Sequence, residues 1–325
     1  MAGGQERELR RRIRSIQSTK KITRAQELIA ASRILRAQRA IAAARPYVEK
    51  MAEVVSHLAD TPDGRDHPLF REPETVRNAA VIVVAGDRGL SGAYNSSVIR
   101  ASERVLSERT EGGADTTLIA VGRKAITHFR YRGREMAATF TGFSDQPTSA
   151  DARQVAEAVM EPFRAGDVDE ITLVYTHFVS AGSQRVEIRK LIPLDPDAEA
   201  AGSGDGKADG SHDDNDGVSH ADYEFEPDPG EILDRLLPAW LQAEILAALL
   251  SASASRYAAQ QRAMKAATDN ADDLITTLSR VMNRARQDSI TTEIMEIVGG
   301  AEALRGGGDH GSHNETYASP DSQSA

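Results

Sequence analysis

The 325-residue chain has no cysteine, which excludes disulfides, thiol nucleophiles and thiolate metal sites at the outset. Only 5% of its residues are aromatic, lean for a compact catalytic domain. No apolar run approaches the ~20 residues that cross a bilayer. The opening GGQERELRRRIRSIQSTKK lacks the apolar centre of a secretory leader. The expectation is therefore a chain of cytoplasmic type, without a membrane insertion of its own. The eight histidines are scattered, and none stands in an H-E-x-x-H pattern. Ser91 lies in GLSGA, but the first glycine is misplaced for a nucleophile elbow, and no catalytic triad is evident.

What is present is unevenly distributed. The net charge of −10 hides a strongly basic N-terminal stretch, from Arg7 to Lys50, and an acidic, Gly- and Ser-rich stretch from Asp195 to Asp228. Opposite charge in separate regions implies different partners for each. Between Arg7 and Leu58 there is no glycine and one proline, Pro46, while Leu9, Ile13, Ile16, Ile22, Ile29 and Leu35 recur at helical intervals. Some fifty such residues predict a helix roughly 75 Å long, ended by the proline-rich Thr61–Pro73.

A different pattern starts at Asn78. AAVIVVAG, TTLIAVG, EITLVYTHF and RVEIRKLIPL read as strands, the last two joined as a hairpin across Ser180–Gln184. Helical stretches near Ser96–Arg109, Arg123–Tyr131 and Ala150–Arg164 fall between them, which predicts an α/β layer structure. Asp195–His220 is of low complexity and predicts a disordered loop. Helical pattern resumes at Pro229 and runs to about Val298, followed by a polar tail from Arg305. Within it Leu274, Leu278, Val281, Ala285, Asp288, Thr292 and Met295 follow a 4-3 spacing, the seam of a left-handed coiled coil. Upstream, Ala252, Ala259, Ala263 and Ala266 make a small-residue face, with the N-terminal helix as the natural partner. Asp288 and Thr292 in the seam argue against permanent apolar packing there.

Two local features admit functional alternatives. DRGLSG after a buried strand places Gly86, Gly89 and Gly92 where backbone amides could cradle phosphate. Its spacing is not G-x-G-x-x-G and no Lys-Ser/Thr pair follows, so a tight turn with Asp87, Arg88 and Asn95 bonding locally explains it better. The arginines of RELRRRIRS could neutralise nucleic-acid phosphates or meet acidic protein surfaces, and pattern alone does not separate the two.

The C-terminal Ile290, Thr291, Glu293, Glu296, Gly300 and Ala301, with MKAATDNA from Met264, DRGLSG with Asn95, and IRSIQSTKKITRAQELIAASR, together resemble the gamma subunits of F-type ATP synthases. The resemblance covers nearly all of residues 1–304. It implies an antiparallel coiled coil of the terminal helices, with a central Rossmann-like α/β domain. The divisions are 1–60 and 229–304 for the coiled-coil helices, 75–195 for the α/β domain, 196–228 for an acidic insertion and foot segment, and 305–325 for a tail. The role it implies is a non-catalytic rotor without a cofactor, metal or nucleic-acid partner. Such a rotor couples proton flow through a membrane c-ring to the alpha and beta subunits, three of each around the shaft, and regulates them. It would sit peripherally on the cytoplasmic side of the cell membrane. Arg286, Gln287, Thr291 and Glu293 match family positions that contact a beta-subunit loop. Tyr223 and Glu226, in YEFEPDP, match the foot that faces epsilon and the c-ring. The chain departs from the family at Ser91, where cysteine is frequent, and at Gln26 and Leu28, where a methionine pair is common. The acidic insertion and the tail also exceed the family's usual length.

Overall fold

The computed structural model describes residues 2–59, 61, 67–194 and 228–306. In chain order the elements are α1 (Ala2–Ala59), β1 (Asn78–Val84), α2 (Tyr94–Glu111), β2 (Asp115–Val121), α3 (Arg123–Tyr131), β3 (Ala138–Phe140), α4 (Ser149–Arg164), β4 (Glu170–Phe178), β5 (Gln184–Ile192) and α5 (Pro229–Gly306). They divide into two units, Thr23–Ala266 and the joined ends Met1–Ile22 with Ala267–Ala325. The insertion around Asp195–His220, the foot residues Tyr223 and Glu226, and the tail beyond Gly306 lie outside the described residues.

The larger unit is organised by a five-stranded sheet in the order β3-β2-β1-β4-β5. Strands β3, β2, β1 and β4 are parallel, and β5 returns antiparallel to β4 as the hairpin predicted. Alternate residues of β1 face opposite layers, as a strand requires. Val81 and Val83 pack with Val98, Val105 and Leu106 of α2 and with Ala125, Ile126 and Phe129 of α3. Ala80, Ile82 and Val84 pack instead with Val155 and Val159 of α4, Val55 and Leu58 of α1, and Leu237, Trp240, Leu241 and Ile245 of α5. The sheet is thus covered on both faces, the arrangement that lets β1 be apolar throughout.

Local chemistry explains the element boundaries. Thr148 caps α4 reciprocally: its Oγ1 accepts from Asp151 N–H at 3.3 Å, and Asp151 Oδ2 accepts from Thr148 N–H at 2.8 Å. Gly122 closes β2 at φ 96°, with Ala85 O only 2.2 Å from where a Cβ would stand, so no side chain fits there. Strand β3 escaped the sequence reading because three residues are too few to show an alternation.

Three expectations need correction. Gly299 and Gly300 do not end the last helix, which continues to Gly306. No backbone group opposes either glycine, and a helix can carry glycine at a modest entropic cost. Helix α5 also contains a stretch long and apolar enough to cross a bilayer by composition, 67% of it buried within the protein. Counting uninterrupted apolar runs missed it, and its leucines and Trp240 form sheet core. Of the small-residue face, Ala263 meets Gly92 of the turn after β1, with 3.7 Å from its Cβ to an ideal Cβ there. Ala266 is exposed, and the α5 residues packed with Ile34 of α1 are Tyr257 and Ala258.

Candidate partner interface

Each terminal helix has one face turned inward, and in the smaller unit the inward positions define a seam. On α5 they are Thr268, Ala271, Ile275, Leu278, Met282, Ala285 and Ser289, spaced alternately by three and four. On α1 they are Leu9, Ile13, Ile16 and Lys20. Lys20 Nζ pairs with Asp272 across the seam. A coiled-coil seam is therefore present, but its register is not the one predicted. Leu278 and Ala285 belong to it, whereas Leu274 and Val281 are 52% and 45% exposed, and Asp288, Thr292 and Met295 face outward. The polar Asp288 and Thr292 consequently say nothing about seam packing.

The same correction applies to α1. Ile22, Ile29 and Leu35, which recur at helical intervals, are exposed, and the buried positions are Thr23, Glu27, Ala30 and Ile34. Arg24 Nη1 reaches both carboxylate oxygens of the buried Glu27, at 2.9 and 2.8 Å, which supplies the partner that a buried charge requires.

The last turns of α5 carry an apolar stripe on their outward side. On α5, Ile290, Ile294 and Ile297 follow one another at spacings of four and three, Val298 stands four after Ile294, and all four are exposed. The four residues proposed from the resemblance share this surface. Arg286 and Glu293 lie seven apart beside Ile290 and Ile297, and Gln287 and Thr291 lie four apart beside Ile294 and Val298. All four are exposed, with Thr291 Oγ1 donating to Gln287 O at 3.0 Å. Lys20 opposite Asp272 leaves about eighteen residues of α1 to run before its start. At equal rise per residue these reach only to about Ile290, so the last turns of α5 stand unpaired. The sequence reading missed Ile290, Ile294 and Ile297 as a surface, although their spacing was in view. Periodicity reveals an apolar stripe but not whether the chain covers it.

In the turn after β1, groups of the chain itself engage Gly86 and Asp87. Gly86 N–H donates to Asn95 Oδ1 at 2.8 Å, and the Arg256 Cδ lies 3.0 Å from where a Gly86 Cβ would be. Asp87 accepts from Arg123 N–H at 3.0 Å, Gly142 N–H at 2.9 Å and Ser144 Oγ at 2.9 Å. Burial pushes the Asp87 carboxyl up. The hydrogen bonds from Arg123 N–H, Ser144 Oγ, Gly142 N–H and Ser144 N–H outweigh it and hold the group below the ordinary carboxylate range. The chain's own groups thus use this turn as a structural knot. Among the described residues no cluster of three His, Asp or Glu side chains could hold a metal ion.

A family model described as ATP synthase matches residues 5–304. The ATP synthase gamma chain of Parafrankia sp. (strain EAN1pec) is 47% identical over 311 residues, covering 94% of this chain and 99% of the relative. That of Rhodococcus jostii (strain RHA1) is 43% identical over 314 residues, covering 91% and 96%. Among solved structures, a chain of the Euglena gracilis mitochondrial ATP synthase OSCP/F1/c-ring assembly aligns at a TM-score of 0.63 and 18% identity, over 97% of this chain and all of that one. A chain of the Tetrahymena thermophila mitochondrial ATP synthase central stalk and c-ring aligns at 0.54 and 20% identity, over 76% and 99%. The structural likeness supports the long-helix and α/β fold, and the near-complete sequence match decides the lineage: the chain belongs to the ATP synthase gamma chain family.

Proposed function

We propose that this chain is the central-stalk rotor of an F-type ATP synthase, coupling proton flow through a membrane c-ring to ATP synthesis in a head of alpha and beta subunits. The observation that carries this reading is the exposed apolar stripe on the last turns of α5, in a chain of this family. A helix that is apolar outside its own seam is suited to a surrounding sleeve. The chain is non-catalytic in this reading and contributes shape and contacts, not chemistry. It sits peripherally on the cytoplasmic side of the cell membrane, with the α/β domain of 75–195 and the foot segment of 196–228 towards epsilon and the ring. Tyr223 and Glu226 are the proposed foot contacts.

Arg286, Gln287, Thr291 and Glu293 are proposed to meet a loop of the beta subunit. Polar, charge-assisted contacts set into an apolar face grip at defined angles and exchange partners as the shaft turns. Replacing Arg286 and Gln287 together by alanine is expected to lower turnover of the assembled enzyme by roughly tenfold, equivalent to about 1.4 kcal/mol in the barrier. Assembly, read by co-purification of the alpha, beta and epsilon subunits, should be retained because the long helices supply most of the contact. Normal assembly together with unmodified turnover would remove these residues from the site.

A further inference from the structure

Asp145, in the loop between β3 and α4, is a point where both long helices are tied to the α/β domain. From α5, Arg256 Nη2 donates to Asp145 Oδ1 at 2.6 Å and Arg256 Nε to Ser144 O at 3.3 Å. Its neighbour Tyr257 donates from its hydroxyl to Asp145 O at 3.2 Å, and the Arg256 guanidinium lies 4.2 Å from the Tyr257 ring centroid. Ser253 Oγ reaches the same Asp145 carbonyl at 3.3 Å. From α1, Arg33 Nη1 donates to the Tyr257 hydroxyl at 2.9 Å and approaches Asp145 Oδ2 at 3.4 Å. The loop is itself fixed to the end of β1, because Ser144 Oγ donates to Asp87 Oδ2 and accepts from Asp87 N–H at 3.1 Å. Arg256 is 2% exposed, so its charge is held almost wholly by this junction.

We propose that Asp145, Arg256, Tyr257 and Arg33 form the torque-transmitting junction between the α/β domain and the paired helices, a proposal that rests on the rotor reading. The physical reason is directionality. Apolar packing of α1 and α5 on the sheet is large but indifferent to small rotations of one layer over another. Charge-assisted hydrogen bonds weaken steeply when their angle changes. A node that grips α5 through Arg256 and Tyr257, and α1 through Arg33, resists relative rotation of either helix against the sheet. These are positioning residues: they give torque entering through the α/β domain a directional path shared by both helices, beside the α5–sheet contacts Ser251–Phe178, Ser255–Thr176 and Arg189–Glu244.

The test uses the assembled enzyme. The chain lacks cysteine, so Tyr131→Cys, at an 89% exposed position on α3, places this subunit's single thiol on the α/β domain for a rotation probe. With the head locked by a non-hydrolysable nucleotide, angular fluctuations of the probe report the stiffness between helices and domain. Asp145→Asn, and separately the double variant Arg33→Gln with Tyr257→Phe, are expected to widen the angular distribution. They should also lower ATP synthesis relative to ATP hydrolysis by the detached head, which needs no torque across the junction. Asp145→Glu should recover part of both. If Asp145→Asn fails to assemble, the double variant decides, since it leaves the buried Arg256–Asp145 pair in place. An unchanged angular width and an unchanged synthesis-to-hydrolysis ratio in an assembled variant would overturn the proposal. Failure of the unmodified chain to assemble or rotate would instead refute the rotor reading.

Discussion

The two units of this protein solve the problem of apolar surface in opposite ways. In Thr23–Ala266 the sheet is closed on both faces by the chain itself, and β1 from Ala79 to Val84 is at most 3% exposed. In the joined ends, Ile294, Met295, Ile297 and Val298 are between 54% and 73% exposed, although the same helix has a well-formed seam a few turns earlier. Burial of large apolar side chains is the main favourable term in folding, so the first unit carries its stability internally. Stability of the second should depend on what encloses it, because binding to the folded state alone adds stability by mass action.

This contrast can be broken first at the core. Phe129, fully buried between α3 and the sheet, should cost about 3–5 kcal/mol when changed to alanine, in the isolated chain and in the complex alike. Denaturant unfolding monitored in both settings would read it. A loss confined to the complex would mean that the sheet unit is not self-sufficient.

A smaller effect is expected at Asp87, whose folded pKa lies below its unfolded value near 3.8. For a depressed carboxylate the added stability is present above the unfolded pKa and is lost as pH falls through the folded pKa. Asp87→Asn should therefore destabilise the sheet unit at neutral pH by about 2 kcal/mol, discounted for partial exposure. The gap to the unmodified protein should shrink as the pH drops below 3.8. Thermal melts in acid check this, and a gap that persists undiminished to about pH 2 would assign the loss to packing.

Smaller still in the isolated chain is Ile294→Ala with Ile297→Ala. Exposed positions change stability by about 0.5 kcal/mol or less, so the melt of the free chain should hardly move. The added stability conferred by the head subunits should fall, measured as the shift in melting temperature on assembly. An equal loss with and without the head would show that the stripe is packed within this chain. The least effect is expected from deleting Ala200–His220, a stretch of low-complexity sequence, since halving a loop's length changes closure entropy by only ~0.6 kcal/mol. Recovery of an intact complex by size exclusion is the readout, and failure to assemble would make the insertion structural.

Much of the architecture could be read from the chain. The buried β1 strand, the β4–β5 hairpin, the three short helices and both long ones follow from apolar runs, breakers and helical periodicity, which are local properties. Strand β3 was not legible, being three residues held only by its pairing with β2. The family relationship was legible as well, through motifs at both ends and in the middle. The Asp145 junction was not, because Arg33, Asp145 and Arg256 are more than a hundred residues apart and no local pattern links them.

The coiled-coil register shows where sequence stops and tertiary structure takes over. A 4-3 alternation can be drawn through Leu274, Leu278, Val281 and Ala285, or through Ile275, Leu278, Met282 and Ala285, and both are apolar. The sequence by itself determined that α5 is apolar on more than one side. Only the packed structure decided that Ile275, Met282 and Ser289 face inward, while Leu274, Val281 and Ile290 face out. On α1, likewise, Thr23, Glu27 and Ala30 lie inside while Ile22, Leu28 and Ile29 remain outside. Hydrophobicity measures preference for leaving water, and it does not distinguish burial within the chain from burial by a partner.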